Sequence, residues 1–232
     1  MFNWFRTSFR QLGVYSTFCY GTDVILRRLG LGSVYRYLYY AQPLDMLVKP
    51  ARRKSAFDVI ELKPGNKDLL EMLGQDVLDY RFKQNAVCLA ALKEGKIAAL
   101  LWHTAGPYLE DEVKAIFVPP ANNSWDFGVH VEPEFRMTRA FMTLWSEGAR
   151  LMTERGLENS LSRISGYNPN SILSHSRMGA SEIGRATFLT IGPLQICWSS
   201  VSPRMDFTFG TKKKPVFKFS APLSSPSTTK QP

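Results

Sequence analysis

The chain has 232 residues, 44% of them hydrophobic and 21% charged, which excludes a disordered or fibrous polypeptide and suffices for one sizeable core. Its formal charge of +9 is unevenly spread: residues 1–54 carry nine Lys or Arg against two acids, residues 55–203 fourteen against seventeen, and residues 204–232 six against one. Basic ends on a mildly acidic body argue against nucleic acid as a partner, which calls for positive charge and aromatics on one folded face, and point to an anionic lipid surface for the front end. Cys19, Cys88 and Cys197 are odd in number, far apart and without a C-x-x-C pair, so neither a disulfide scaffold nor a cysteine-built metal site is expected, and the expected compartment is the cytoplasm. No run reaches the ~18 uninterrupted apolar residues of a spanning helix, and no apolar block leads to a signal cleavage site.

In chain order, residues 1–54 read as a basic amphipathic segment and linker. Phe2, Phe5, Phe9 and Leu12 recur at helical spacing, with Arg6 and Arg10 off that stripe. Such a helix either lies in a bilayer interface or packs on the domain; residues 1–42 are the part expected to meet an anionic membrane, as a peripheral association. Residues 55–203 alternate strands and helices. The pattern predicts a strand over 57–62, a helix over 67–78 and a hairpin of strands 87–92 and 97–104 across Glu94 and Gly95. It continues with a strand over 125–131, a helix over 136–154 stopped by Gly156, a strand over 161–167 and a helix over 169–178. An antiparallel pair, 183–191 and 194–200, closes it. Residues 204–232 have lysines, prolines and hydroxyl side chains without periodicity and are expected to be disordered.

Two helix starts carry the chemistry, because a helix N-terminus after a strand is an anion site. In Val131-Glu132-Pro133-Glu134-Phe135-Arg136-Met137-Thr138-Arg139, two arginines occupy a first helical turn, where the dipole disfavours them. Either an anionic ligand or the neighbouring Glu132 and Glu134 would offset that penalty. In the second start Asn168 is an N-cap candidate, Pro169 the first helical residue and Gly179 the terminator, with Ser171 and His175 on one face. On the strand before the first start, strict alternation places Asp126, Gly128, His130 and Glu132 on one face, with Asp126 and His130 either as catalytic carboxylate and imidazole or as part of a half-exposed sheet surface.

These stretches resemble the GNAT superfamily of acyl-coenzyme A dependent N-acetyltransferases over residues 57–200. V-x-P-E-F-R before a helix is similar to the segment in which the family binds the coenzyme diphosphate, R/Q-x-x-G-x-G/A. Asn168, Ser171, His175 and Gly179 match the spacing of its N-x-x-A-x-x-x-Y-x-x-x-G-F. The resemblance implies a mixed central sheet flanked by helices, here preceded by a basic aromatic helical segment. It further implies acetyl-CoA or another acyl-CoA as co-substrate, no metal, and direct attack by an unidentified small-molecule acceptor in a ternary complex. Pantetheine would run along Val129 and Val131; Arg136 and Arg139 would hold the diphosphate; Asn168 and Ser171 would line the donor site. His175 would be the acid in place of the family's tyrosine, Asp126 or His130 the base, and the loop over 106–124 would shape the acceptor pocket. The family's two glycines are here Arg139 and Phe141, so side chains must replace a backbone cradle, or the site is inactive and the domain serves recognition only. Cys88 and Cys197, in apolar runs, read as buried hydrophobes rather than nucleophiles.

Overall fold

The computed structural model describes residues 2–48, 55–136, 138–210 and 213–220, and for residues 2–11 the backbone alone. Its helices are α1 (Phe2–Arg28), α2 (Lys67–Leu73), α3 (Gln75–Phe82), α4 (Ala140–Glu154) and α5 (Pro169–Arg177). Its strands are β1 (Gly32–Pro43), β2 (Asp58–Leu62), β3 (Val87–Lys93), β4 (Lys96–Thr104), β5 (Tyr108–Leu109) and β6 (Ile116–Val118), then β7 (Asn123–Val131), β8 (Asn159–Ser165), β9 (Ser181–Ile191), β10 (Leu194–Ser199), β11 (Met205–Phe209) and β12 (Val216–Lys218). A nine-stranded mixed sheet runs β11-β10-β9-β1-β8-β7-β4-β3-β2, and a small sheet runs β12-β6-β5. The expected mixed α/β class with flanking helices and an N-terminal helix is what forms.

Each face of the large sheet carries its own core. On one face Leu69 of α2 and Leu78 of α3 pack with Trp102 and Leu100, and the small sheet brings Phe117, Phe217 and Phe219 around Tyr39. On the other face Leu144, Trp145, Gly148, Ala149 and Met152 form the inward stripe of α4, at helical spacing, against Leu89, Ala91, Ala99 and Leu101. A Cβ at Gly148 would come 3.3 Å from Leu89 Cδ1, so the absent side chain lets α4 sit close to the strands.

Four expectations need correction. The boundary after Lys54 does not follow the fold, because β1 lies inside the large sheet between β8 and β9. Tyr35, Tyr37 and Tyr39 face the small-sheet core while Arg36 and Tyr40 face the opposite side, a two-residue period suited to aromatic side chains on a pleated surface. One side of α1 packs on the domain: Asp23 accepts from Val34 N at 2.7 Å, and the Arg36 guanidinium lies 4.9 Å from the Tyr15 ring centre. The stripe of Phe2, Phe5 and Phe9 lies outside the described side chains, and Gly13, at φ 76°, breaks α1 after it. The disordered tail expected over 204–232 contains β11 and β12, and Phe217 of β12 with Phe219 just after it enters the core; residues 221–232 lie outside the described set. Finally, Gly74 (φ 78°) divides the helix expected over 67–78 into α2 and α3, and the helix expected from residue 136 starts at Ala140 after a single 3-10 turn, Pro133–Phe135.

Phe217 tests the tail directly. Its ring is wholly buried, with centroids 5.6 Å from Phe117 and 5.9 Å from Phe188. Phe217→Ala should cost about 3–5 kcal/mol of unfolding free energy in urea, whereas a dispensable tail would give no change in midpoint.

Candidate active-site cleft

The parallel pair in the large sheet is β7 with β8, and its pairing extends only from Asn123 opposite Asn159 to Asp126 opposite Ser162. Beyond that level β7 runs on to Val131 beside β4 alone, and β8 to Ser165 beside β1 alone. The strands part, and the N–H and C=O groups of 127–131 and 163–165 that face the gap have no inter-strand partner among the described residues. Between the pairs Trp102–Phe127 and Leu100–His130, β7 has one residue more than β4. This bulge contains Gly128 at φ 59°, a left-handed conformation that a side chain would strain. A Cβ there would also stand 3.0 Å from Arg81 Nη1 and 3.2 Å from Trp102 Cδ1.

The extra residue overturns strict alternation along β7. Asp126 faces α4, whereas His130, opposite Leu100, faces the α2–α3 side; Val131 has crossed to the α4 side. Asp126 is enclosed and accepts from Ser160 Oγ at 2.8 Å, and Ser124 Oγ donates to Ser160 Oγ at 3.0 Å. Burial pushes the Asp126 carboxyl up to about 7. His103 is its cross-strand partner; burial lowers that imidazole to about 4, and neither of its nitrogens has a hydrogen bond among the described residues. His130 is exposed, and its Nε2 lies 3.2 Å from Glu132 Oε1.

Both helices that follow the parallel strands begin at the open end of the cleft, where the chain leaves each strand's carboxyl end. The start of α4 has no acid in its first turn and no side-chain cap from Arg139, and Thr138 Oγ1 accepts from Ala140 N at 3.2 Å. Arg136 Nε donates to the Val131 carbonyl at 3.3 Å. Among the described residues neither Arg136 nor Arg139 forms an ion pair, with Glu132 or Glu134 or any other acid; Glu132 turns to His130 instead.

At the start of α5, Asn168 Oδ1 accepts from Ser171 N at 3.1 Å, the N-cap read from the sequence, and Gly179 ends the helix at φ 91°. His175 is buried between Tyr40 (centroids 6.5 Å apart) and the edge-on Trp145 (5.7 Å). Desolvation lowers its pKa to about 4, so it stands neutral at pH 7 rather than titrating near 6.5 as an exposed imidazole would. Cys88 and Cys197 are buried, with thiols raised to about 12 by desolvation.

Sequence reasoning passed over the charged groups on the α2–α3 side. Arg163, on the β8 wall, donates to both oxygens of buried Glu110 at 2.8 and 3.3 Å, contacts Glu112 at 2.8 Å and lies 4.6 Å from the Tyr37 ring centre. Burial holds the Glu110 carboxyl up, at about 7, against the pull of Arg163. The same loop borders an open cavity of about 440 Å³ lined by Tyr80, Asp111, Glu112, Lys114 and Gln195 among others. The acidic run 110–112 was the one available signal. Nothing local in the sequence announces that Arg163 would face it.

No protein-family model matches the sequence, and no curated protein matches it. Among solved structures, a conserved protein of unknown function from Staphylococcus epidermidis is 14% identical, with a TM-score of 0.48 over 71% of this chain and 64% of its own. A protein assigned to the GNAT family of acetyltransferases, from Novosphingobium aromaticivorans, is 18% identical, with a TM-score of 0.44 over 66% and 62%. An aminoglycoside N-acetyltransferase in complex with CoA is 18% identical, with a TM-score of 0.39 over 54% and 92%. The chain spans less than two thirds of the length of the first two. At these values the likeness carries no argument, and the reading of the cleft rests on its own geometry.

The enclosed carboxyl gives a signed pH test. Because Asp126 holds its proton in the folded chain up to about pH 7 and releases it near 4 when unfolded, its contribution is present at low pH and lost as pH rises through 7. Asp126→Asn should therefore gain stability relative to the parent chain between pH 4 and 8 in urea titrations. A constant difference across that range would show that the carboxyl is ionised throughout.

Proposed function

We propose that this chain is an acyltransferase of GNAT type, moving an acyl group from coenzyme A or another pantetheine donor to an amine or hydroxyl by direct attack. The observation that carries this reading is the parting of β7 and β8 at the Gly128 bulge, in front of a helix start bearing two arginines without acid partners. Unsatisfied strand edges accept an extended amide-containing chain as a further strand would be accepted. Pantetheine, with two amides, matches Val129 and Val131 on that edge. Arg136 and Arg139 suit the diphosphate by charge-assisted bonds, doing with side chains what a glycine cradle does with main chain.

In this reading the donor enters from the α4–α5 side and the acceptor from the α2–α3 side. His130, exposed on the latter and oriented by Glu132, takes the proton of the attacking nitrogen or oxygen as the new bond to the thioester carbon forms. Asp126, enclosed on the other face, supports the root of the cleft rather than touching the acceptor. Neutral His175 offers a hydrogen bond to the departing sulfur. Asn168 and Ser171 keep the α5 start rigid beside the donor chain. Acceleration comes from positioning and from proton handling at a prearranged cleft.

A second observation favours peripheral attachment to an anionic membrane. The outward side of α1 carries Val14, Phe18 and Ile25, and Leu29 follows directly after its end; they are 74, 71, 60 and 64% exposed and continue one helical stripe, with Arg28 beside them. Among the described residues no helix is long and apolar enough to cross a membrane. An exposed apolar stripe in a segment bearing seven net positive charges matches an interfacial helix whose other side is anchored on the domain.

Coenzyme A at about 100 times its dissociation constant should stabilise the chain by ~2.7 kcal/mol in thermal unfolding. Arg139→Ala should weaken that binding about tenfold and leave pantetheine binding unchanged. Absence of any shift at millimolar coenzyme A would remove the enzymatic reading and leave a recognition domain. For the membrane, Phe18→Ser with Ile25→Ser should sharply reduce co-sedimentation with phosphatidylserine vesicles without lowering the melting temperature; unchanged sedimentation rejects the stripe as the contact.

A further inference from the structure

Arg81, the penultimate residue of α3, reaches over the Gly128 bulge from the α2–α3 side. Its guanidinium carbon lies 5.1 Å from the Trp102 ring centre and 5.5 Å from that of Phe127, and its Nη1 covers the Gly128 bulge. Tyr108 stacks on Phe127 with centroids 4.0 Å apart and completes an aromatic platform beneath it. Attraction to aromatic faces accounts for where the side chain rests. It does not account for its polar groups: among the described residues the Arg81 guanidinium has no hydrogen-bond or ion-pair partner, and its Nε is buried. A buried N–H without an acceptor is costly, and native structures normally satisfy it.

No acid among the described residues pairs with Arg81. Glu110 and Glu112 are held by Arg163, and Glu132 by His130. Arg81 is thus a cation with free donors on the side of the bulge opposite Asp126 and the face of α4. His130 lies on the same side of the strand, two residues along.

We infer that Arg81 is an anion subsite at the root of the cleft, which binds a carboxylate carried by one of the two reacting molecules. A guanidinium presents paired donors that match the two oxygens of a carboxylate, and the aromatic platform dries one side of the contact. The inference rests on the acyl-transfer reading for what the carboxylate belongs to. Either the acceptor is an amino acid or related acid, its carboxylate on Arg81 and its amine toward His130, or the acyl chain is itself a dicarboxylic one.

The first test needs no turnover. Benzoate and glutarate, added to the full chain, should raise its melting temperature and quench tryptophan fluorescence through Trp102, while benzamide should do neither. Arg81→Gln should abolish the effect and Arg81→Lys restore part of it, both variants being checked for parental circular dichroism. No stabilisation of the parent chain by either carboxylate, or an equal response in a folded Arg81→Gln, overturns the subsite. The second test assigns the source. With acetyl-CoA, preference for glycine over glycinamide by about tenfold in kcat/KM places the carboxylate on the acceptor. Preference for succinyl-CoA over acetyl-CoA, with glycinamide as acceptor, places it on the acyl chain. Either preference should vanish in Arg81→Gln, whose coenzyme A binding stays parental, and indifference in both comparisons counts against the subsite. Failure of the parent chain to bind coenzyme A defeats the acyl-transfer reading instead, and the carboxylate titration still decides Arg81.

Discussion

Everything in the cleft follows from backbone hydrogen bonds that β7 and β8 do not make. A parallel ladder could continue past Asp126 and Ser162, since both strands go on for several residues. It stops because one extra residue in β7, with Gly128 in a left-handed conformation, bends that strand away from its neighbour. Unpaired main chain inside a sheet is unfavourable unless water or another partner takes up the donors and acceptors. An opening of this kind is maintained by the packing on either side of it.

That packing is provided by two unlike layers. Facing α4, the level at which the strands part is marked by a row of polar side chains in register, His103, Asp126, Ser162 and Tyr40, enclosed beneath helices. Their burial displaces both His103 and Asp126 toward the neutral form, so the row is polar without being charged. Facing α2 and α3, the same level is rimmed by charge: Arg81 over the aromatic platform, Arg163 with its two glutamates, and His130 with Glu132. The two mouths of the cleft are thus chemically distinct, one polar and uncharged, the other charged.

Placing β1 between β8 and β9 couples the N-terminal region to this site. Tyr40 on β1 touches His175, Tyr39 centres the aromatic core of the small sheet, and Arg36 lies under α1. A strand in that position cannot be an appendage, because its loss would leave two interior strands with open edges. Attachment of α1 to a surface would accordingly be transmitted to a rigid body, and the cleft would keep a fixed orientation toward that surface.

Much of the fold was legible in local pattern. The period of α4, the hairpin turn at Glu94 and Gly95, and the caps of α5 at Asn168 and Gly179 are short-range physics, written in residues a few positions apart. The strand of β1 was also present as tyrosines at every second position, but neighbouring helical spacing and the charged run at 49–54 masked it. β11 and β12 were illegible because three to five residues with few periodic contacts acquire strand structure only when an existing edge or core receives them. The site divides along the same line. Sequence alone determined that the chain changes from strand to helix at two places, and at Asn168 which residue caps the start, though it set the start of α4 four residues early. Tertiary structure decided the rest: that a bulge separates His130 from Asp126, that burial keeps His175 neutral, and that Arg81 and Arg163 come to the cleft from distant elements. Facing, desolvation and long-range proximity depend on what packs against a residue, and no window of sequence contains that.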